Sequence, residues 1–345
     1  MSSIDIVIPC YRYGHYLQTC VQSVLAQDVP DLRILIIDDD SPDDTPDVAE
    51  ALVRQDDRVS YRRHAENLGH IATYNEGIAW VRANYMLLLS ADDFLLPGAL
   101  QRAMALLDAN PAAGLCIGQA LALDEDGRLR PMPMDIGTAG APTAVLGGAD
   151  FVRWIVRSGS RNVVPAATAV VRTSLLKRIG GYRSDLPHAG DLELWLRIAS
   201  HSAVAFVKDN QAVYRRHAAN MSNGYAGDNF LADLQQRKSA FDAFLLGCGS
   251  AITDAEHLHA LLLKPLGREA VGHASAAFNQ NRMEASRRLA EFAASVYPPV
   301  RDTLAWRLLA CKRLMGYRVA AALLPAMARL RSAIRLPWRA SAHKP

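Results

Sequence analysis

Two short apolar runs that end in clustered aspartates constrain this chain more than any other feature. LRILIID at 32–38 runs into Asp38, Asp39 and Asp40, and YMLLLS at 85–90 is followed by Asp92 and Asp93. Runs of this length without polar alternation are the kind buried on both faces of a parallel sheet. IDIVIPC at 4–10 and VSYRRH at 59–64 are two more short strands, and the segments between the four carry helical periodicity. The second of these, SPDDTPDVAEALVRQ, supplies Ser and Asp caps and a proline near its first turn. Four strand and helix alternations predict a doubly wound α/β sheet with helices on both faces.

In such a sheet ligands bind beyond the carboxyl ends of the strands, so the two acidic clusters are expected to face one crevice. Like charges held close oppose their own ionisation, and a divalent cation offsets that cost. Ser41, Asp43 and Asp44 fit equally well as helix caps. The chain has no GxGxxG after its first strand and no GxxxxGK[ST], so a bound phosphate needs another holder. A strand-end Asp–Asp pair carrying Mg²⁺ or Mn²⁺ against a diphosphate is one. A third acid, Asp191 in HAGDLELWLRI, opens a helix whose Leu192, Trp195 and Leu196 form an apolar face. It reads either as a helix cap or as a general base, whereas Glu193 points elsewhere and reads as structural.

After residue 94 the alternation continues less regularly. Residues 127–148, rich in Gly and Pro, read as a long loop or lid, and from about residue 228 the pattern is almost wholly helical. We expect a catalytic domain over 1–225 and a helical appendage over 226–345. The net charge of +3 divides unevenly, with ten basic residues and one acid in 301–345. There Leu323, Met327, Leu330 and Ile334 share one helical face flanked by Arg331 and Arg335, a pattern suited to packing on the appendage or to lying on an anionic membrane; nucleic acid is not expected as a partner. Five scattered cysteines with no CxxC spacing, and no apolar stretch of membrane-spanning length, lead us to expect a reducing, cytoplasmic setting, with peripheral contact to the inner face of the membrane through the tail.

The segments IVIPCYRYGHYLQTCVQSVLAQ, LRILIIDDDSPDDT, HAENLGHIATYNEGI, YMLLLSADDFLLPGAL and GDLELWLRI occur in an order that resembles the family 2 inverting nucleotide-sugar glycosyltransferases of GT-A fold, over roughly residues 4–220. The resemblance implies a mostly parallel Rossmann-like sheet, a nucleotide diphosphate sugar donor, Mn²⁺ or Mg²⁺, and a single carboxylate base. It implies Pro9, Tyr11, Asp39, Asn67 and Asp92 on the nucleotide-sugar, Asp93 and Asp92 on the metal with His217 as a further candidate, and Asp191 as the base. Two departures stand out. Ser90 and Ala91 precede Asp92 where relatives often add another acid, and Thr73–Tyr74 stand where relatives commonly have a small residue and Arg, leaving Arg62 or Arg63 as substitutes. Tyr182 is expected to line the acceptor pocket, Trp195 to belong to the core, and His188 to lie near the acceptor. The acceptor is a glycan, a lipid-linked molecule or another hydroxyl compound, in polysaccharide or other glycoconjugate synthesis. A non-catalytic sugar-binding scaffold and a nucleotidyltransferase are the competing readings; the second normally requires a basic, Gly-rich phosphate loop that this chain lacks.

Overall fold

The computed structural model describes residues 2–132, 134, 142–225, 229–248 and 251–322. The chain divides into two compact units, Met1–Leu262 and Leu263–Pro345.

The first unit is built on one sheet. Among the described residues it holds ten strands: β1 (Ile4–Cys10), β2 (Leu32–Asp38), β3 (Val59–Arg63), β4 (Tyr85–Leu88), β5 (Phe94–Leu95), β6 (Ala113–Leu123), β7 (Leu129–Met132), β8 (Thr143–Leu146), β9 (Val170–Arg172) and β10 (Ala203–Arg215). The path runs β3-β2-β1-β4-β9-β6-β10-β5, with β7 on β6 and β8 on β10. β1, β2, β3 and β4 pair in parallel, as the apolar runs of β1, β2 and β4 predict, with the largely exposed β3 at the edge. Beyond β4 the sheet is mixed: β9 enters antiparallel between β4 and β6, β6 and β10 return to parallel, and β5, β7 and β8 are antiparallel edges. The stretch 127–148, expected as loop, contains β7 and β8. Both are short and largely exposed, so they lack the apolar run that marks the central strands.

Helices α1 (Gly14–Leu25), α2 (Thr45–Gln55), α3 (His70–Trp80) and α4 (Ala99–Ala109) follow the first strands, and α5 (Gly148–Arg157), α6 (Thr173–Ile179) and α7 (Gly190–His201) follow later. The apolar residues of α1, α2 and α4 close over Ile4, Ile6, Ile8, Ile34 and Ile36, each fully buried. Side chains of this size contribute about 1.5–3 kcal/mol each on burial. α3 approaches β1 closely because residue 77 is glycine; a Cβ there would meet Val7 Cγ1 at 2.3 Å. The acidic residue inside the first strand, Asp5, is fully buried yet satisfied: Arg33 donates to it through Nε at 2.9 Å and Nη2 at 2.6 Å, and the N–H groups of Arg82 and Ala83 at 2.7 and 3.0 Å. It ties β1 and β2 to the turn that leads into β4. Trp195 is buried with Leu192 and Leu196, the core position read from its helical face. α8 (Phe230–Cys248) completes the unit, and α9 (Ala255–Asn279) begins in it.

The second unit is helical: the rest of α9, α10 (Met283–Val296) and α11 (Leu304–Met315). Thr303 caps α11 by accepting the Trp306 N–H at 3.3 Å, and Lys312 turns inward to Ser275 Oγ and Asn279 Oδ1, both at 2.9 Å. On the outer side Leu304 is 72% and Leu314 88% exposed. No helix among the described residues is long and apolar enough to cross a membrane. The tail residues Leu323, Met327, Leu330, Arg331, Ile334 and Arg335 lie outside the described residues.

Candidate active site

The carboxyl ends of β1, β2, β4 and β10 carry the polar side chains singled out from the sequence. At the β1 and β2 ends the backbone is bent sharply, with Arg12 and Asp40 at φ 64° and 60°. Such left-handed conformations in residues other than glycine cost energy and collect at functional loops. Cross-links hold them: Arg12 N–H donates to Ser41 Oγ at 2.9 Å, Ser41 N–H to Asp38 Oδ1 at 2.8 Å, and Gly14 N–H to Asp43 Oδ2 at 3.2 Å. Pro9 sits in β1 opposite Ile37, and Tyr11 is 42% exposed above it.

Asp39 is buried and surrounded by donors. Leu68 N–H reaches Oδ1 at 2.8 Å, Gly69 N–H reaches Oδ2 at 2.9 Å, and His64 Nδ1 lies 2.7 Å from Oδ1. Gly69 has φ 83°, ψ 156°, a conformation open to glycine almost alone, and it aims these two N–H groups while capping α3. Asn67 braces the same loop by donating from Nδ2 to the Asp39 carbonyl at 3.0 Å. Arg62 is bonded to Glu76 at 2.6 Å and Arg63 to Asp40 at 3.1 Å, so neither stands free as the missing donor cation.

Asp92 and Asp93 follow β4 in a tight turn closed by Asp93 N–H to Ser90 O at 3.0 Å. The end of β10 supplies their partners. His217 Nε2 lies 3.1 Å from Asp92 Oδ2, Asn220 Nδ2 donates to the same oxygen at 3.3 Å, and Arg215 N–H donates to Asp93 Oδ1 at 3.0 Å. Burial pushes both carboxyls above their ordinary range, Asp93 well above it with the Asp92 charge adding to the effect, while His217 draws Asp92 back. The Arg215 guanidinium lies over Tyr16 at 4.8 Å and Phe94 at 5.0 Å, a cation held between aromatic faces. Among the described residues no group of three or more His, Cys, Asp or Glu side chains forms a cage for a metal ion. Hard oxygen ligands on two under-compensated carboxylates still suit Mg²⁺ or Mn²⁺, which keep waters and substrate phosphates in their shell rather than requiring an all-protein cage.

Asp191, the second residue of α7, is half-buried, and Tyr182 O–H donates to its Oδ1 at 2.9 Å. Burial raises its pKa; the Tyr182 bond and the nearby His70 and His188 act in the opposite direction. Tyr74 links the two acidic groups: its ring lies 5.1 Å from that of Tyr182, and burial followed by the charges of Asp191, Asp92 and Asp93 raises its phenol pKa. Glu193 is buried against Arg197 at 2.8 Å, in keeping with its structural reading. His188 is turned to Asp233 at 2.9 Å and stacked on Tyr225 at 3.6 Å. Sequence reading missed Asn220, Arg215, Tyr74 and the His64–Glu76 pair. Only the polar-aromatic composition of YRYGHY and the NMS after His217 hinted at partners for the acids.

An α/β sheet carrying acids at the ends of β2 and β4 and a further carboxylate at the start of α7 defines a GT-A-like, Rossmann-type architecture. Solved structures share it: TarS from S. aureus in complex with UDP-GlcNAc has a TM-score of 0.64 at 17% identity, over 94% of this chain and 92% of that one. The mannosyltransferase PcManGT from Pyrobaculum calidifontis, in complex with GDP-Man and Mn²⁺, has 0.50 at 17% identity, over 93% and 86%. The Glycosyl transferase family 2 profile matches residues 5–180, and the chain belongs to that family. Among curated relatives, the uncharacterised protein MT1568 of Mycobacterium tuberculosis is 29% identical over 63% of this chain and 67% of its own length. The glycosyltransferase GlyG of Streptococcus pneumoniae is 34% identical over 27% of this chain and 31% of its own length. The GalNAc(5)-diNAcBac-PP-undecaprenol beta-1,3-glucosyltransferase of Campylobacter jejuni is 30% identical over 37% and 41%. The chain therefore aligns with less than half of the latter two.

Proposed function

We propose that this chain transfers a sugar from a nucleoside diphosphate donor to an acceptor hydroxyl in a single displacement that inverts the anomeric carbon. The observation that carries the reading is two separate acidic groups that both bear on Tyr74, Asp92 and Asp93 bound to His217 and Arg215 in one and Asp191 bound to Tyr182 in the other. In this reading residues 1–225 form the catalytic part. Pro9, Tyr11, Asp39 and Asn67 line the nucleotide end, and Asp92 and Asp93, with His217 beside them, hold Mn²⁺ or Mg²⁺ and the diphosphate. Such a cation supplies electrostatic stabilisation of the departing diphosphate. Asp191 takes the acceptor proton. Tyr182, kept a phenol by burial and by Asp191, holds the carboxylate in orientation.

Asp191→Asn is the direct test. Removing a general base costs about 10²–10⁴ in rate, so acceptor-dependent turnover should nearly vanish while nucleoside diphosphate binding by calorimetry persists. Unchanged turnover would reject the base assignment. The acceptor belongs to glycoconjugate or surface polysaccharide synthesis in this reading. The exposed Leu304 and Leu314 on α11, with Arg307 on the same helix, favour peripheral contact with an anionic, cytoplasm-facing membrane carrying a lipid-linked acceptor. Flotation with anionic and neutral liposomes tests this: equal failure to float with both rejects it.

A further inference from the structure

His64 was assigned no role from the sequence, yet its ring is fixed at both ends by acids. It is 8% exposed; Nδ1 lies 2.7 Å from Asp39 Oδ1 and Nε2 lies 2.8 Å from Glu76 Oε2. An ionised carboxylate only accepts hydrogen bonds, and a neutral imidazole has one N–H to give. A neutral ring at this site therefore satisfies one acid and turns a lone pair toward the other. Only the doubly protonated ring serves both.

Hydrogen-bond donors surround both acids. Burial works against Glu76, but hydrogen bonds from Arg62 and His64 outweigh it and hold the carboxyl below its usual range. Asp39 also receives the N–H groups of Leu68 and Gly69. The other charges near the ring are committed elsewhere. Arg62 on β3 is bound to Glu76, and Arg63 lies between Asp40 and Asp38. Asp38 on β2 binds Tyr61 O–H and Ser41 N–H while its carbonyl accepts the His64 N–H. Burial pulls the His64 pKa down, the bonds to Asp39 and Glu76 pull it up, and the balance is upward.

We propose that His64 is a positioning residue for the donor, a held imidazolium that fixes Asp39 and the Leu68–Gly69 turn against the nucleotide base, so that donor affinity weakens when that proton leaves. The proposal rests on the reading that Asp39 faces the base. Its sign follows from the geometry. Below the raised pKa the clamp is complete, and as pH rises through it one of the two contacts must open. The one remaining N–H serves a single acid; when it serves Glu76, Asp39 is left with the Leu68 and Gly69 N–H groups alone and faces the imidazole lone pair, which turns it from the orientation the loop requires.

The test uses full-length protein labelled with ¹⁵N-histidine, imidazole nitrogen spectra recorded from about pH 6 to about pH 9 around the ordinary His range, and calorimetric titration with UDP and GDP in Mg²⁺ across the same span. His64→Gln identifies the signal. Wild type should show both His64 nitrogens protonated above the ordinary His range, and the affinity for the nucleoside diphosphate that binds should fall about tenfold, the equivalent of about 1.4 kcal/mol, as that signal titrates. His64→Gln should bind more weakly at the acid end and show a flat profile, and Glu76→Gln should move the His64 titration to lower pH. A neutral His64 ring at neutral pH overturns the proposal without any variant having to fold. A wild-type affinity that ignores the His64 titration also overturns it. Failure of the wild type to bind either nucleoside diphosphate removes the donor reading itself, a different result from binding with a neutral ring.

Discussion

The acids at the end of β2 and those at the end of β4 occupy equivalent places in one sheet, yet they are treated oppositely. Asp39 is met by two N–H groups and an imidazole, and Asp38 by Tyr61, Ser41 and Arg63. Asp92 and Asp93 are equally buried but have fewer donors, and their pKa values are raised. A satisfied carboxylate is a finished structural element that presents an edge. A pair with fewer donors and raised pKa values has more charge left to be compensated. In the proposed reading the first arrangement shapes the nucleotide end of the pocket and the second holds the cation.

Exchanging charge for neutrality should separate the two ends most clearly. Asp93→Asn should lower turnover by about 10²-fold or more, since metal stabilisation of a leaving group is worth several kcal/mol. The metal-free protein should melt no lower than wild type, because an amide can still accept the Arg215 N–H and no longer carries a buried charge. The rise in melting temperature on adding Mn²⁺ should disappear. A variant that melts lower but keeps its Mn²⁺ response would show the pair to be structural, like Asp38.

Asp191 extends the contrast, being raised by burial and stabilised by one side-chain donor. As a base it must be ionised, so turnover should fall as pH drops through its raised pKa, at higher pH than an ordinary aspartate would give. Tyr182→Phe removes the O–H that favours the carboxylate form, so this limb should move to still higher pH, with a loss of about threefold to tenfold in kcat near neutrality, within the range of a single hydrogen bond to a charged group. An unmoved limb would detach Tyr182 from the base. The smallest effect is expected on the satisfied side. Arg62→Ala breaks an exposed pair with Glu76, an interaction worth about 0–1 kcal/mol, and should change the donor KM by less than about fivefold. A larger change would mean that the β2 end is not as fully compensated as its hydrogen bonds show.

The parts legible in the sequence were those with a period or a run. The apolar strands β1, β2 and β4, the acids that follow β2 and β4, and the Leu192, Trp195 and Leu196 face of α7 needed only local pattern. β7 and β8 were illegible because four largely exposed residues carry no period, and β9, three residues long, is placed by pairing with β4 and β6 rather than by its own composition. The same limit applied in the site. Asp39, Asp92, Asp93 and Asp191 could be picked out as unusual acids, but whether each is satisfied depends on partners elsewhere in the chain. Glu76 faces His64 from a helix, and Asn220 reaches Asp92 from the segment that follows β10.

The bonds from Asp93 to Arg215 and from Asp92 to His217 join groups 122 and 125 positions apart. A chain made from its N-terminus at ~5–20 residues per second exposes these aspartates on the ribosome for roughly 6–25 s before the segment that completes their surroundings has been translated. β10, which also pairs with β5, β6 and β8, arrives as the final piece of the sheet. Termination between Asp93 and β10 therefore yields a polypeptide carrying these two acids without their enclosure, whereas the surroundings of Asp39 are complete by residue 76.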